Sequence, residues 1–432
     1  MNMTEKQKVF AWIDDHASDV QQFLSELIRI PSVSGEELAV QQKLMASLEE
    51  AGLGVTSRAY DEQGIRPNVI GTYQGTGGGE GLLLAAHSDT VAPGDVSAWE
   101  HDPFSGDFDG KHIHGRGAAD DKWGVTAAFF ALKALKECGV KLAGDVHMLS
   151  SIGEETTLKA RKELGAGAMV RDMEEKPTFC VICEGADMEI CVETPYALAF
   201  ELTVKGKPGH PCGRSRGVFP QTSRVYSSGM RAQVDALQKT MLVVDALYRL
   251  EQDMSLNHIR GGLLGSGGLD YVNRKGVGAV TICPLSIHST PSPTTIGEVK
   301  VRYYASFSSV YTHDEIFAEV ERVVNAVADG DMWLREHRPV LNRLSNTYGF
   351  HTDPKLPAIA SMRKGFEDAM GTPGIVANWI AQCDGDAISP YVPCVVFGPQ
   401  PPGAHAPNER ITLKELLDCV KVFASTAMEH CK

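Results

Sequence analysis

The sequence predicts an α/β protein: a layered α/β/α domain with a smaller α+β domain inserted in it. Three observations lead there. Apolar runs of strand length, Leu82 to Ala86, Val146 to Ile152 and Thr178 to Cys183, alternate with helical patterns, the order of a parallel sheet covered by helices. Near Glu193 the pattern changes to apolar–polar alternation, Phe200, Leu202 and Val204 against Glu201 and Thr203, the mark of a half-exposed antiparallel strand. The length, 432 residues, exceeds one ordinary domain. The expected boundaries are 1–193 for the first part of the larger domain, 194–335 for the insertion and 336–432 for the second part.

The elements follow in order. Glu5 to Ile30 carries a helical period through Val9, Phe10, Ile13, Val20, Phe23, Leu24, Leu27 and Ile28, and Pro31 stops it. Ser34-Gly-Glu-Glu37 has the form of an N-cap with acids in the first turn, opening a helix through Leu48. Val55 to Arg58 and Val69 to Tyr73 read as short strands. Gly75 to Gly81 reads as a turn before the buried run at Leu82. Asp120 opens an Ala-rich helix, Val125 to Leu135. In the insertion, Leu198 to Val204 and Val299 to Phe307 are alternating strands. Gln233 to Met254 and His313 to Val327 are helices, and Gly261 to Gly268 is a glycine-rich loop. Leu356 to Met370 resumes helical periodicity, Val392 to Phe397 is a buried strand, and Thr412 to Met428 closes the chain as a helix.

Composition narrows the partners. Lys and Arg number 41 against 55 Asp and Glu, a net charge of −14, which argues against nucleic acid and anionic membranes. No apolar run approaches the ~20 residues of a membrane span. Met1 to Asp14 is polar and lacks the apolar core of a signal peptide, and ten cysteines are scattered without a framework. Reduced thiols and a cytoplasmic location are expected. Cys180-Val-Ile-Cys183 matches C-x-x-C, but its apolar centre places it inside a strand, and no second cysteine pair answers it.

Ligand-type residues collect where strands end. His87 follows the Leu82 run, Glu154 and Glu155 follow Val146 to Ile152, and Glu184 follows Thr178 to Cys183. Asp120 stands in the glycine-rich stretch Gly115 to Gly124, and His405 follows Pro399-Gln-Pro-Pro-Gly403. In open α/β sheets chemistry gathers at the carboxyl ends of strands. Two histidines and three carboxylates, His87, Asp120, Glu155, Glu184 and His405, suit two borderline divalent ions with one carboxylate bridging. Asp89, two residues after His87, shares its face if the strand continues and could orient the ring through its other nitrogen. Glu154 points away from its neighbour and is a candidate general base.

In these motifs the chain resembles the dinuclear zinc hydrolases of the aminoacylase, acetylornithine deacetylase, succinyl-diaminopimelate desuccinylase and carboxypeptidase G type. The matching elements, in order, are HSD at His87 to Asp89, GRGAADDK at Gly115 to Lys122, Glu154-Glu155, the acid Glu184, and AHAPNE at Ala404 to Glu409. Trp99 with Pro103-Phe104 also matches, as does GKPGH ending at His210. The resemblance implies a catalytic domain with an inserted lid and dimerisation domain. It implies one ion on His87, Asp120 and Glu184, the other on Asp120, Glu155 and His405, with Glu154 as base. Zn²⁺ is the expected ion, with Mn²⁺ or Co²⁺ as alternatives. It further implies a cis peptide at Asp120-Asp121, and a homodimer or higher oligomer in which His210 reaches the partner's site and steadies the oxyanion.

The chain departs from that pattern in places. Asp187 is an alternative to Glu184, which is favoured because it directly follows the strand. Trp123 stands where family members often have glycine. The asparagine that usually precedes an Ile-Pro in the lid is not recognisable around Thr281 to Pro284. Arg302, or Arg214 and Arg216, could instead face a substrate's acidic group. The expected activity is hydrolysis of a C–N bond in a small molecule, by default an N-acyl amino acid or dipeptide. Removal of the amine from an activated aromatic acid such as a nitroanthranilate is the alternative, and a catalytically silent metal-binding scaffold is the remote one.

Overall fold

In the computed structural model the first helical stretch is two helices, α1 (Glu5–Asp15) and α2 (Ala17–Ile28). The break falls at His16, whose ring stacks on Trp12 at 3.9 Å and whose Nδ1 lies 2.7 Å from the Trp12 carbonyl oxygen. Ser34 does not cap α3 (Leu38–Glu50). Its hydroxyl donates to Asp89 at 2.5 Å, and Glu37 is buried against Arg66. The structure describes residues 3–210, 233–256, 280–289 and 294–432.

The chain continues through β1 (Gly54–Ala59), β2 (Pro67–Tyr73), β3 (Leu82–His87), β4 (His112–His114) and α4 (Lys122–Glu137). Then come β5 (Val146–Ser151), α5 (Leu158–Glu163), α6 (Ala166–Arg171), β6 (Phe179–Cys183) and β7 (Ile190–Cys191). The insertion follows: β8 (Tyr196–Lys205), α7 (Ala236–Leu256), β9 (Val280–Ser289), β10 (Glu298–Phe307), α8 (His313–Gly330) and β11 (Val340–Thr347). The return holds α9 (Pro357–Met370), β12 (Val376–Ala377), α10 (Gly385–Ile388), β13 (Cys394–Phe397), β14 (Arg410–Thr412) and α11 (Leu413–His430).

These elements fall into two compact units, Met1–Thr194 with Phe350–Lys432, and Pro195–Gly349. Residues 336–349, grouped by sequence with the return, run through β11, which pairs antiparallel with β8 and so lies in the second unit.

The larger unit is built on an eight-stranded sheet of order β1-β2-β5-β3-β6-β13-β7-β12. Its centre, β5-β3-β6-β13, is parallel, with β1 and β2 added antiparallel at one side. β3, β6 and β13 are buried at every residue, as strands covered on both faces must be. α4 is nearly as apolar: Trp123, Val125, Phe129, Phe130 and Leu132 are all buried. The Trp123 ring occupies space that a side chain at Gly398 would fill. Lys122, fully buried beside it, donates to the carbonyls of Leu27 and Ile30 at 2.9 and 2.8 Å, and burial pushes its amine down to about 7. α4 is thereby tied to the end of α2. Cys180 and Cys183 are buried, unpaired thiols within β6, as their apolar setting predicts.

The smaller unit is an antiparallel sheet of order β11-β8-β10-β9. Phe200 and Tyr303 stack across β8 and β10 at 5.0 Å. Leu247 of α7 and Ile316 and Val320 of α8 complete the same core.

Candidate metal centre and active site

Because β5, β3, β6 and β13 run parallel, the segments that leave them emerge at one edge of the sheet. His87 is the last residue of β3. Glu154 and Glu155 stand in the turn after β5, Glu184 directly follows β6, Asp120 precedes α4, and His405 lies between β13 and β14.

Asp120 is the shared group. Its Oδ1 is 3.0 Å from His87 Nε2, and its Oδ2 is 3.1 Å from His405 Nε2. Glu184 Oε1 comes within 3.6 Å of the same His87 nitrogen, and Glu155 Oε2 within 2.8 Å of the same His405 nitrogen. One carboxylate therefore turns its two oxygens to two separate histidine–carboxylate sets. The Asp120-Asp121 peptide is cis. Asp121, buried behind it, accepts the His87 backbone N–H at 3.2 Å. The loop that presents Asp120 is held by Glu409, which accepts the N–H groups of Gly117, Ala119 and Asp120 at 2.9, 2.7 and 3.0 Å and pairs with Arg116.

Asp89 is placed differently from its sequence expectation. β3 ends at His87, so Asp89 does not continue the strand's alternation. Its backbone carbonyl, not its carboxylate, faces His87 Nδ1 at 2.9 Å, and the nearest carboxylate oxygen is 3.7 Å away. That carboxylate accepts the N–H groups of Glu154 and Glu155 at 3.1 and 3.2 Å. Asp89 thus fixes the turn that carries both glutamates.

The charges are strongly displaced. Burial alone would lower the His87 imidazole, but Asp120, Glu154 and Asp89 outweigh it and push it well above its usual value. Burial, then Asp120, pushes Glu184 well up. Asp120 is itself buried, yet hydrogen bonds with His405 and His87 hold it well below the carboxylate range. Hydrogen bonds to Asp120 and Glu155 raise His405 to about 10. Imidazole nitrogens and carboxylate oxygens are borderline-to-hard donors, and two sets sharing one carboxylate fit a pair of divalent ions. Protons and cations compete for these lone pairs, so such a site holds ions less well as pH falls.

Glu154 lines the same cavity as Asp120, Glu155, Glu184 and His405. Burial lifts its carboxyl to about 8, against the opposing pull of His87 and Arg161. Arg161 Nη2 lies 2.8 Å from Glu154 Oε1, and its Nε donates to the Glu154 carbonyl at 3.0 Å. Thr157 caps α5 by accepting from the Ala160 N–H, which starts the helix just past the turn and brings Arg161 back over Glu154. A basic residue one helical turn past Thr157 is the only sequence signal for this arginine. These groups line a cavity of about 330 Å³, walled also by Trp379, Gln382 and Gln400. Trp379 and Gln382 stand in no motif of the sequence, and Gln400 lies in the proline-rich run that leads to His405. Trp379 is set by its indole N–H, which donates to the Gly185 carbonyl at 2.7 Å.

His210 and Arg302 belong to the smaller unit. His210 is exposed and follows Gly209, whose N–H donates to the Thr295 hydroxyl at 3.0 Å and whose carbonyl accepts the Thr295 N–H at 2.9 Å. Arg302 is exposed on β10, opposite Glu201 of β8 and Ser286 of β9. Arg214 and Arg216 lie outside the described residues. Asp187 is exposed, with a left-handed φ of 55°, while Glu184 is the acid beside His87.

Comparison with known proteins places the chain in a family. The profile of peptidase family M20/M25/M40 matches residues 83–429. The chain is 24% identical to an N-formyl-4-amino-5-aminomethyl-2-methylpyrimidine deformylase of Bacillus subtilis, over 97% of this chain and 96% of that one. It is 25% identical to a succinyl-diaminopimelate desuccinylase of Methylobacterium nodulans, over 92% of each. Among solved structures, human carnosine dipeptidase 1 has the same fold, with a TM-score of 0.73, 16% identity and full coverage of both chains. A profile that spans both parts of the larger unit and the insertion between them leaves one conclusion: the chain belongs to peptidase family M20/M25/M40 and is a hydrolase acting on C–N bonds.

Proposed function

We propose that the chain hydrolyses the amide bond of a small N-acyl substrate, an N-acyl amino acid or dipeptide, with two divalent ions, Zn²⁺ first and Mn²⁺ or Co²⁺ as substitutes. The observation that carries this reading is the division of Asp120 between His87 and His405, with Glu154 lining the same cavity. His87, Asp120 and Glu184 would hold one ion, and Asp120, Glu155 and His405 the other. Bound there, the ions supply Lewis acidity, which polarises a substrate carbonyl and makes water more acidic.

The chain's own residues do the rest. Glu154 takes the proton of the attacking water and delivers it to the leaving nitrogen. Arg161 and the Asp89-bound turn hold that carboxylate in place. A cavity of about 330 Å³ suits a small molecule. His210 would stabilise the developing oxyanion from the partner subunit of a homodimer, through an inserted domain at 194–335 that acts as lid and dimer contact. No helix among the described residues is long and apolar enough to cross a membrane, in keeping with a cytoplasmic enzyme. The relatives named a deformylase and a desuccinylase support the acyl-amide choice.

The test is a panel of N-formyl, N-acetyl and N-succinyl amino acids, dipeptides and nitroanthranilates, assayed with added Zn²⁺ or Mn²⁺. Turnover confined to acyl amides or peptides is expected. Turnover of the aromatic amines alone would replace this reading.

A further inference from the structure

Outside that centre, titratable side chains converge on the ribbon of β4 and β14. His112 and His114 are two residues apart on β4, so they share one face while Ile113 between them is buried on the other. Asp109, in the turn that leads into the strand, faces both. Its Oδ1 accepts the N–H groups of Lys111 and His112 at 2.8 and 2.7 Å, which fixes the carboxylate. Its Oδ2 lies 3.1 Å from His112 Nδ1 and 3.0 Å from His114 Nε2. The His101 ring stacks on that of His114 at 4.1 Å and is itself paired with Asp107 at 3.1 Å, so His114 is braced from behind.

We propose that Asp109, His112 and His114 form an additional metal site, separate from the Asp120 centre, that takes one borderline divalent ion such as Zn²⁺ in a structural role. Two imidazoles and one carboxylate are the donors such an ion prefers. Two ligand atoms of one tetrahedral zinc stand about 3.3 Å apart; the two oxygen–nitrogen spacings here are 3.1 and 3.0 Å, and the three ligand atoms all lie within 4.8 Å of one another. One carboxylate oxygen is occupied by backbone and the other is aimed at the two rings, the arrangement in which surrounding hydrogen bonds orient a ligand. Asp109 and His112 are part-exposed, with side chains 40% and 25% accessible, while His114 is nearly buried at 11%, so an ion reaches the site from the Asp109 and His112 side and water completes its coordination.

The place of the site gives its role. β4 pairs with β14, His112 opposite Thr412 and His114 opposite Arg410. β4 leads directly into the loop that carries Asp120, and β14 directly follows the loop that carries His405 and Glu409. An ion on the outer face of β4 fastens the strand from which the Asp120 loop departs.

The experiment counts zinc. Protein stripped with chelator is dialysed against Zn²⁺ and its metal content measured, with thermal melting on the same samples. Wild type should carry one equivalent more than His112→Gln/His114→Gln. Asp109→Asn, which keeps the oxygen bonded to the turn and neutralises the charge facing the rings, should lose the same equivalent. Asp120→Ala protein should keep it and still melt higher on addition of Zn²⁺, and adding His112→Gln/His114→Gln to that background should abolish the rise. Equal zinc content in wild type and in both ribbon variants, with unchanged circular dichroism, overturns the proposal. The difference of one equivalent is read whatever number of ions the Asp120 centre holds, so the two readings fail separately.

Discussion

Glu154 keeps its carboxylate between a buried wall and the Arg161 guanidinium, 2.8 Å away. Glu154→Gln preserves the shape and loses the proton acceptor. Turnover should fall by about 10²–10⁴-fold while elemental analysis finds unchanged metal; near-wild-type turnover moves the base elsewhere. Arg161→Met removes a cation that favours the ionised carboxylate. Glu154 should then hold its proton to higher pH, and the acid limb of kcat/KM should shift upward. An unmoved limb reduces Arg161 to packing. Asp120→Ala should release both ions, since each oxygen faces its own histidine; two equivalents still bound by metal analysis would reject the bridge. Asp120 and Glu154 are legible in the sequence because each follows a recognisable strand or glycine-rich turn within a short motif. Arg161 is not, because its meeting with Glu154 depends on where α5 begins. Trp379 and Gln382 are not, because only the folded return segment brings them to the cavity.

At the scale of elements, α4 carries an indole that fits because β13 is followed by a residue without a side chain. Gly398→Ala would press a methyl into Trp123 and the Glu184 carbonyl. Such overpacking costs about 1–3 kcal/mol, read as a lower Tm. In a Trp123→Leu background the same change should cost less; an equal cost in both backgrounds would remove the indole as the cause. β5 offers a pH test. His147 is largely buried, with Nδ1 3.0 Å from the Thr72 hydroxyl, and burial lowers its imidazole below 6.5. Below that pH the unfolded chain binds a proton that the folded one resists, so stability falls as pH drops from 6.5 toward the folded value. His147→Gln should lose less Tm than wild type between pH 7.5 and pH 5, and identical losses would exclude the imidazole. The strands themselves are legible, because complete burial leaves continuous apolar runs such as Leu82 to Ala86. The Ser34 cap misleads for a physical reason: its hydroxyl is claimed by Asp89, a contact across 55 positions that no local pattern contains.

At the scale of the whole molecule, the dimer reading makes a complementation prediction. Glu154→Ala and His210→Ala proteins should each be nearly inactive, and activity should return when they are mixed and reassociated, because one mixed site then has both groups. Exchange of subunits without recovery confines His210 to its own chain or to no role. The smaller unit is legible from its alternation, except at β11, where Asn342, Arg343, Ser345 and Asn346 break the apolar pattern of a strand that is mostly exposed. Strand order in the larger sheet is not legible at all, and it carries its own consequence. β13 belongs between β6 and β7, yet it is made only after the whole of Pro195–Gly349. At about 5–20 residues per second the ribosome takes roughly 8–30 s to traverse that insertion alone. Throughout that pause a nascent chain has Phe179–Cys183 already translated, an apolar edge with two thiols and no neighbour yet synthesised on one side. Translation that stops before Cys394 leaves that edge bare for good, so truncated products should partition to chaperones and aggregates rather than persist as a half-enzyme.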